Sequence, residues 1–167
     1  MKLNKNNTNL NDWLPLTSQA KKSASKAYAP YSKFHVGAAA IDTNNNIYTG
    51  CNVENASYGL TVCAERNCLS FAVNQESSTI TALLVYTQQE KLTPPCGACR
   101  QVIAEFLSQD ALVASANHLD HLKVWTVAEL LPDAFTPQLL SSGTIMHLPQ
   151  NIIRQKRNKQ ALTVDEI

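Results

Sequence analysis

With 167 residues, 44% of them hydrophobic and 16% charged, the chain carries apolar material for one packed core and is not disordered in composition. Its formal net charge is only +1, so no global field draws it to nucleic acid or to an anionic membrane. No apolar run approaches the ~20 residues needed to span a bilayer, and Met1 to Asn9 lacks the apolar stretch of a secretory leader; a soluble, cytoplasmic protein is expected.

Residues 1–12 are polar and Asn-rich and are expected to be a flexible N-terminal segment. Pro15 to Tyr28, rich in Ala and Lys, predicts a helix closed by Pro30. Phe34 to Ile41 predicts a strand, Asp42 to Asn46 a turn, and Ile47 to Val53 a returning strand, together a hairpin. Cys63 to Val73 is apolar on nearly every side, as a helix in the middle of a core would be. Thr79 to Thr87 predicts a strand buried on both faces. The next helix, Cys96 to Leu107, places Cys99, Val102, Ile103, Phe106 and Leu107 on one stripe. Ala111 to Ala116 and Leu122 to Trp125 predict two more strands. Thr126 and Glu129 have the spacing of a capping box, opening a short helix that ends at Pro132. This order argues for an α/β fold, a three-layer α/β/α sandwich around a mixed, roughly five-stranded sheet.

The chemistry lies in Cys63-Ala64-Glu65 and, after a long gap, Pro95-Cys96-Gly97-Ala98-Cys99. Three thiolates and a carboxylate in this order match the all-cysteine form of the zinc deaminase signature. Cys96 and Cys99, three apart at a helix start, face the same way, and the helix N-terminus favours their thiolates. Cys63 and Glu65 are two apart and cannot share a face of a regular helix, so Cys63 is expected at the helix cap. A redox pair or a closed four-thiolate structural site is the alternative, since Cys51 and Cys68 remain. Glu65 argues against it, because a carboxylate beside a ligand has proton work only at an open site. Five cysteines without a leader also fit a reducing compartment better than disulfides.

The stretch from Tyr28 to Phe135 resembles the small, homotetrameric cytidine deaminases with three cysteine zinc ligands. The matching pieces are Tyr28-Ala29-Pro30-Tyr31-Ser32, Phe34-x-Val36-Gly37-Ala38, Gly50 to Tyr58, Cys63-Ala64-Glu65-Arg66, Pro95 to Gln101 and Glu129 to Phe135, in the family's order. The resemblance implies one zinc ion per chain on Cys63, Cys96 and Cys99, with Glu65 as the catalytic carboxylate that moves protons to N3 of the ring and to the leaving amine. Asn52 and Glu54 resemble the pair that binds the ribose 3′-hydroxyl, within a pocket-lining segment that continues through Val53, Asn55, Ala56, Ser57 and Tyr58. Phe34 resembles the ring that packs on the pyrimidine. Ala64 offers a backbone N–H to the base carbonyl, and Phe135 resembles the ring that closes the pocket, often from a neighbouring subunit.

Three thiolates on a dication leave an excess of about one negative charge, and Arg66, three residues after Cys63, is placed to hydrogen-bond sulfur and withdraw it. The implied activity is zinc-dependent hydrolysis of cytidine and 2′-deoxycytidine to uridine and 2′-deoxyuridine with release of ammonia, as in pyrimidine salvage. The catalytic domain is expected over 13–137. The rest, 138–167, with a basic run from Arg154 to Lys159, forms a C-terminal extension about which the resemblance says nothing. A deaminase of a nucleoside-like antibiotic of the blasticidin type, or a non-catalytic zinc-stabilised binding module, are the rival readings. A nucleic-acid editor is opposed by the small, nearly neutral chain.

Overall fold

The structure, a computed structural model, describes residues 3, 9–137 and 139. The N-terminal tip is therefore only partly described, and all of the extension 138–167 except Leu139 lies outside the described residues. By compactness the chain divides into Met1–Ala134 and Phe135–Ile167. In the second unit, Leu139 donates its backbone N–H to Thr136 O at 3.0 Å. The sheet and the helices packed on it belong to the first unit.

Its elements come in the expected order. A 3₁₀ turn at Leu10–Trp13, capped by the Asn9 side chain, leads into α1 (Leu14–Ala24), so part of the segment expected to fray is ordered. After it come β1 (Val36–Asp42), β2 (Ile47–Cys51), α2 (Ala64–Asn74), β3 (Ile80–Thr87), α3 (Gly97–Phe106), β4 (Leu107–Asn117), β5 (Leu122–Thr126) and α4 (Val127–Leu130). The five strands form one sheet in the order β2-β1-β3-β4-β5. The β3–β4 pair is parallel, joined through α3, and the other pairs are antiparallel.

Strand periodicity divides the core in two. On one face Ala39, Ile41, Leu84, Tyr86 and Ala114 pack under α1, which contributes Leu16, Ala20 and Ala24, together with Trp13 from the preceding turn. On the other, Ala38, Ala40, Leu83, Val85 and Val113 pack under Ala64, Cys68, Leu69 and Ala72 of α2, Ile103 of α3, and Val127 and Leu130 of α4. These are the two helical layers of the expected sandwich. β3, the central strand, is buried at every position but Thr81, as its near-continuous apolar run requires.

Several boundaries differ from the sequence reading, among them the end of β2, at Cys51 rather than Val53. α1 stops at Ala24 rather than Tyr28, because Lys26 and Ala27 donate backward to Ser23 O and Ala24 O at 2.9 and 3.1 Å and turn the chain before Pro30. β1 starts at Val36, two residues after Phe34. β4 begins at Leu107, directly after α3 and well before Ala111. Leu107 is buried as expected, but as the first residue of a strand, and Phe106 is 46% exposed.

Candidate active site

The two helices whose first turns carry the cysteines lie on the same face of the sheet. Cys63 and Cys96 are the N-caps of α2 and α3, both with extended backbone. Each cysteine is thereby turned out of its helix at the end where free N–H groups and the helix dipole favour a thiolate. Cys99 follows in the first turn of α3 and is buried. The three sulfurs all lie within 4.8 Å of one another. A tetrahedral zinc with Zn–S of about 2.3 Å separates its sulfurs by roughly 3.8 Å, so this donor set fits that ion. Among the described residues the cluster has no fourth Cys, His, Asp or Glu, the composition of an open site rather than a closed one. Cys68 belongs to the core: its Sγ donates to Tyr48 O at 3.3 Å, and burial pushes its thiol up to about 12.

Electrostatics ties the cluster together. A hydrogen bond from Cys99 pulls the Cys63 thiol down to about 6, against burial and the neighbouring Glu65, with Cys96 and Arg66 adding to the pull. Cys99, as that donor, is pushed up. The charge of Arg66 is among the causes that lower Cys63.

In front of the cysteines lies a cavity of about 220 Å³. It is lined by Cys63, Ala64, Glu65 and Cys96 at the starts of α2 and α3, by Ser32, Phe34 and Val36, and by Asn52, Glu54, Thr61, Val85, Thr93 and Pro94. Glu65 is 5% exposed. Burial pushes its carboxyl above the ordinary range, opposed by hydrogen bonds from its own backbone N–H and from Cys99. A buried carboxyl in the lining of a cavity that also holds cysteine sulfurs is able to take up and release a proton there.

Asn52 uses its amide on the chain itself: Oδ1 accepts from Val36 N at 2.9 Å and Nδ2 donates to Phe34 O at 2.8 Å. It thus fixes the backbone on either side of His35, directly after Phe34. Glu54 accepts from the N–H groups of Tyr31 and Ser32 at 2.9 and 3.2 Å and from the Ser32 hydroxyl. Hydrogen bonding, Ser32 first, holds its carboxyl below the usual carboxylate range despite some burial.

Of the segment 52–58, only Asn52 and Glu54 reach this cavity. Val53, Asn55, Ala56, Ser57 and Tyr58 are exposed. Asn55 is a turn residue whose Oδ1 accepts from Ser57 N at 2.8 Å. The Tyr58 ring meets Tyr31 edge-on at 6.1 Å. Phe135, 59% exposed, begins the second unit. The sequence reading missed Ser32, Val36, Thr61, Val85, Thr93 and Pro94 as lining residues. Ser32 and Val36 stood inside recognised motifs, and Thr93-Pro94 directly precedes one, so proximity to the motifs was the available signal.

Comparison with known proteins agrees with this geometry. Residues 13–115 match the family described as the cytidine and deoxycytidylate deaminase zinc-binding region. A cytidine deaminase of Sporosarcina psychrophila is 45% identical over 126 residues, 75% of this chain and 93% of that protein. One from Halalkalibacterium halodurans is 43% identical over 123 residues, 74% of this chain and 93% of its own length. Among solved structures, the cytidine deaminase of Burkholderia pseudomallei superposes with a TM-score of 0.70 at 42% identity, covering 73% of this chain and 98% of that one. With the matched region spanning the hairpin, both cysteine helices and most of β4, the chain belongs to the cytidine and deoxycytidylate deaminase zinc-binding family.

Proposed function

We propose that the protein is a cytidine deaminase that hydrolyses cytidine and 2′-deoxycytidine to uridine and 2′-deoxyuridine, releasing ammonia, in pyrimidine salvage. The observation that carries this reading is the buried Glu65 carboxyl in the lining of one cavity with Cys63 and Cys96. Bound by Cys63, Cys96 and Cys99, zinc supplies the Lewis acid that makes water a nucleophile near neutral pH.

The chain's own residues supply the rest. Glu65 takes a proton from the attacking water, delivers it to N3 of the ring, and carries a proton to the departing amine. Ala64 begins α2, so its backbone N–H has no partner within the helix and is available to the base carbonyl. Phe34, fixed by Asn52, packs on the pyrimidine. Glu54 has about four acceptor sites, and the three donors of the 31–32 loop leave capacity for a ribose hydroxyl. Asn52 likewise keeps one donor and one acceptor site beyond its backbone bonds. Arg66 tempers the excess negative charge of the sulfur cluster, and Phe135 serves as the closing ring for the pocket of a neighbouring subunit.

We also place the protein in the cytoplasm, supported by five free cysteines among the described residues. A homotetramer is supported by the exposed Tyr28, Tyr31, Val53, Tyr58 and Leu60. Among them Tyr28 bridges to Val53, and the Tyr31 ring meets that of Tyr58. Light scattering is expected to give a mass near four times 18.3 kDa; a fully active monomer would overturn the assembly alone.

Loss of cytidine's ultraviolet absorbance, run beside 2′-deoxycytidine, free cytosine and a blasticidin-type antibiotic, tests the activity. Both nucleosides should turn over and free cytosine poorly, since it cannot use ribose binding energy at the transition state. Turnover of the antibiotic alone would transfer the assignment to it, and turnover of none would end it.

A further inference from the structure

The cavity wall contributed by Thr93 and Pro94 continues through Pro95 into Cys96. Pro94 and Pro95 have no N–H, so this stretch cannot fasten itself to the sheet by backbone donation. What it has to offer is carbonyls, and three of them are taken by side chains. Asn117 Nδ2 donates to Glu90 O at 2.7 Å. Ser115 Oγ donates to Thr93 O at 2.8 Å. Arg100 Nε donates to Pro95 O at 2.8 Å, while its Nη1 reaches Leu130 O, at the end of α4, at 3.1 Å.

The donors are placed by periodicity. Ser115 and Asn117 follow Val113 on one face of β4. Val113 belongs to the core under α2 and α3, and the next two positions on that face are polar although each is only 1% exposed. Arg100 lies one turn into α3, and its own N–H closes on Cys96 O at 2.9 Å. One arginine thus holds the residue before a ligand cysteine from inside the helix that carries two of them. Thr87 Oγ1 adds a contact to Thr93 Oγ1 at 3.3 Å.

We propose that Arg100, Ser115 and Asn117 are positioning residues for the metal centre. They act as a three-point clamp on the Glu90–Pro95 loop that sets where Cys96 stands relative to Cys63 and Cys99. The inference rests on the reading of the three cysteines as zinc ligands. Residues outside the ligand set that orient ligands typically change metal affinity about 10- to 100-fold when removed.

The test is zinc release from the purified, zinc-loaded protein into an excess of a colorimetric chelator. It compares Ser115→Ala, Asn117→Ala, Arg100→Lys and the control Thr17→Ala. Thr17 is also a buried donor, to Trp13 O at 3.0 Å on α1. The three clamp variants should release zinc roughly 10-fold or more faster than wild type, and Ser115→Thr, which keeps the hydroxyl, should restore slow release. Thr17→Ala should lower the melting temperature without changing release. Arg100→Lys keeps the charge but loses the fork; should it not fold, the two β4 variants, each a small truncation, decide the matter. Wild-type release rates in the folded clamp variants, with only melting temperature lowered, would overturn the proposal and leave the deaminase reading intact. A wild-type protein that holds no zinc would overturn both.

Discussion

At the scale of single residues, the site separates groups that do chemistry from groups that hold them. Glu65→Gln keeps the shape of a buried side chain in the cavity wall and removes its capacity to carry protons. Turnover is expected to fall by at least ~10²–10⁴-fold, the usual contribution of general acid–base catalysis, with zinc content unchanged. Zinc analysis beside the absorbance assay checks both, and near-normal turnover would remove Glu65 from the mechanism.

Asp42 is the purely structural counterpart. Its carboxylate, 2% exposed, accepts from Asn44 N, Asn46 N, Asn46 Nδ2, the Tyr48 hydroxyl and Ser78 N. Burial alone would raise it, but the bonds from Asn46, Tyr48 and Ser78 outweigh that and bring it from 3.8 to about 2. The folded value lies below the unfolded one, so the carboxylate's stabilisation is complete above about 4 and is lost as the pH falls toward about 2. Asp42→Asn should therefore melt below wild type at neutral pH, with the gap closing across that acid window. A gap independent of pH would mean the charge contributes nothing.

At the scale of elements, apolar runs and periods placed the five strands, α2 and α3, an Ala- and Lys-rich stretch closed by Pro30 placed α1, and a capping box placed α4, while the N-cap position of Cys63 followed from its two-residue offset to Glu65. Boundaries were less legible where local bonding, not residue type, sets them. Ser108, Gln109 and Asp110 are exposed members of β4, and three consecutive polar residues read as a loop because no alternation marks them. The clamp on Glu90–Pro95 was hidden for a related reason, since its acceptors are carbonyls that every residue has. Ser115, a polar residue inside the strand expected over Ala111 to Ala116, and Asn117 just beyond it were the available sign.

Gly50 shows what the sequence does specify at this scale. A Cβ there would stand 2.3 Å from Cys68 N and 2.5 Å from Ala64 O, so α2 rests directly on β2 at the turn that presents Cys63 and Glu65. Those neighbours are backbone atoms and cannot rotate aside. Gly50→Ala should cost roughly 1–3 kcal/mol, the usual range for overpacking, and should weaken zinc binding by displacing α2. Gly59→Ala, with nothing within 4 Å of its added carbon, is the control. Melting curves and zinc stoichiometry measure both, and a fully zinc-loaded Gly50→Ala protein of wild-type stability would contradict this packing.

At the scale of the whole unit, the sandwich converts two distant stretches of sequence into one centre. Cys63 comes from the start of α2 and Cys96 and Cys99 from the start of α3, with β3 and the proline loop between them. The pairing of these helices on one sheet face was legible from their shared chemistry, while the side chains that hold the loop needed the fold. Because the unfolded chain keeps no such convergence, an ion that binds these three sulfurs binds the folded state preferentially. Its contribution should grow by about 1.4 kcal/mol for each tenfold rise in free zinc above the dissociation constant, as mass action requires. Melting temperature measured across buffered free-zinc concentrations should therefore climb with the logarithm of zinc, and chelation should bring it to a lower plateau. Cys99→Ser, which removes the buried ligand, should abolish that dependence. Cys51→Ser and Cys68→Ser should retain it, because neither sulfur belongs to the cluster. A melting temperature indifferent to zinc would mean that the three thiols converge without the metal contributing to stability. Loss of zinc dependence in Cys68→Ser would mean instead that the core beneath α2, and not the cluster alone, governs the site.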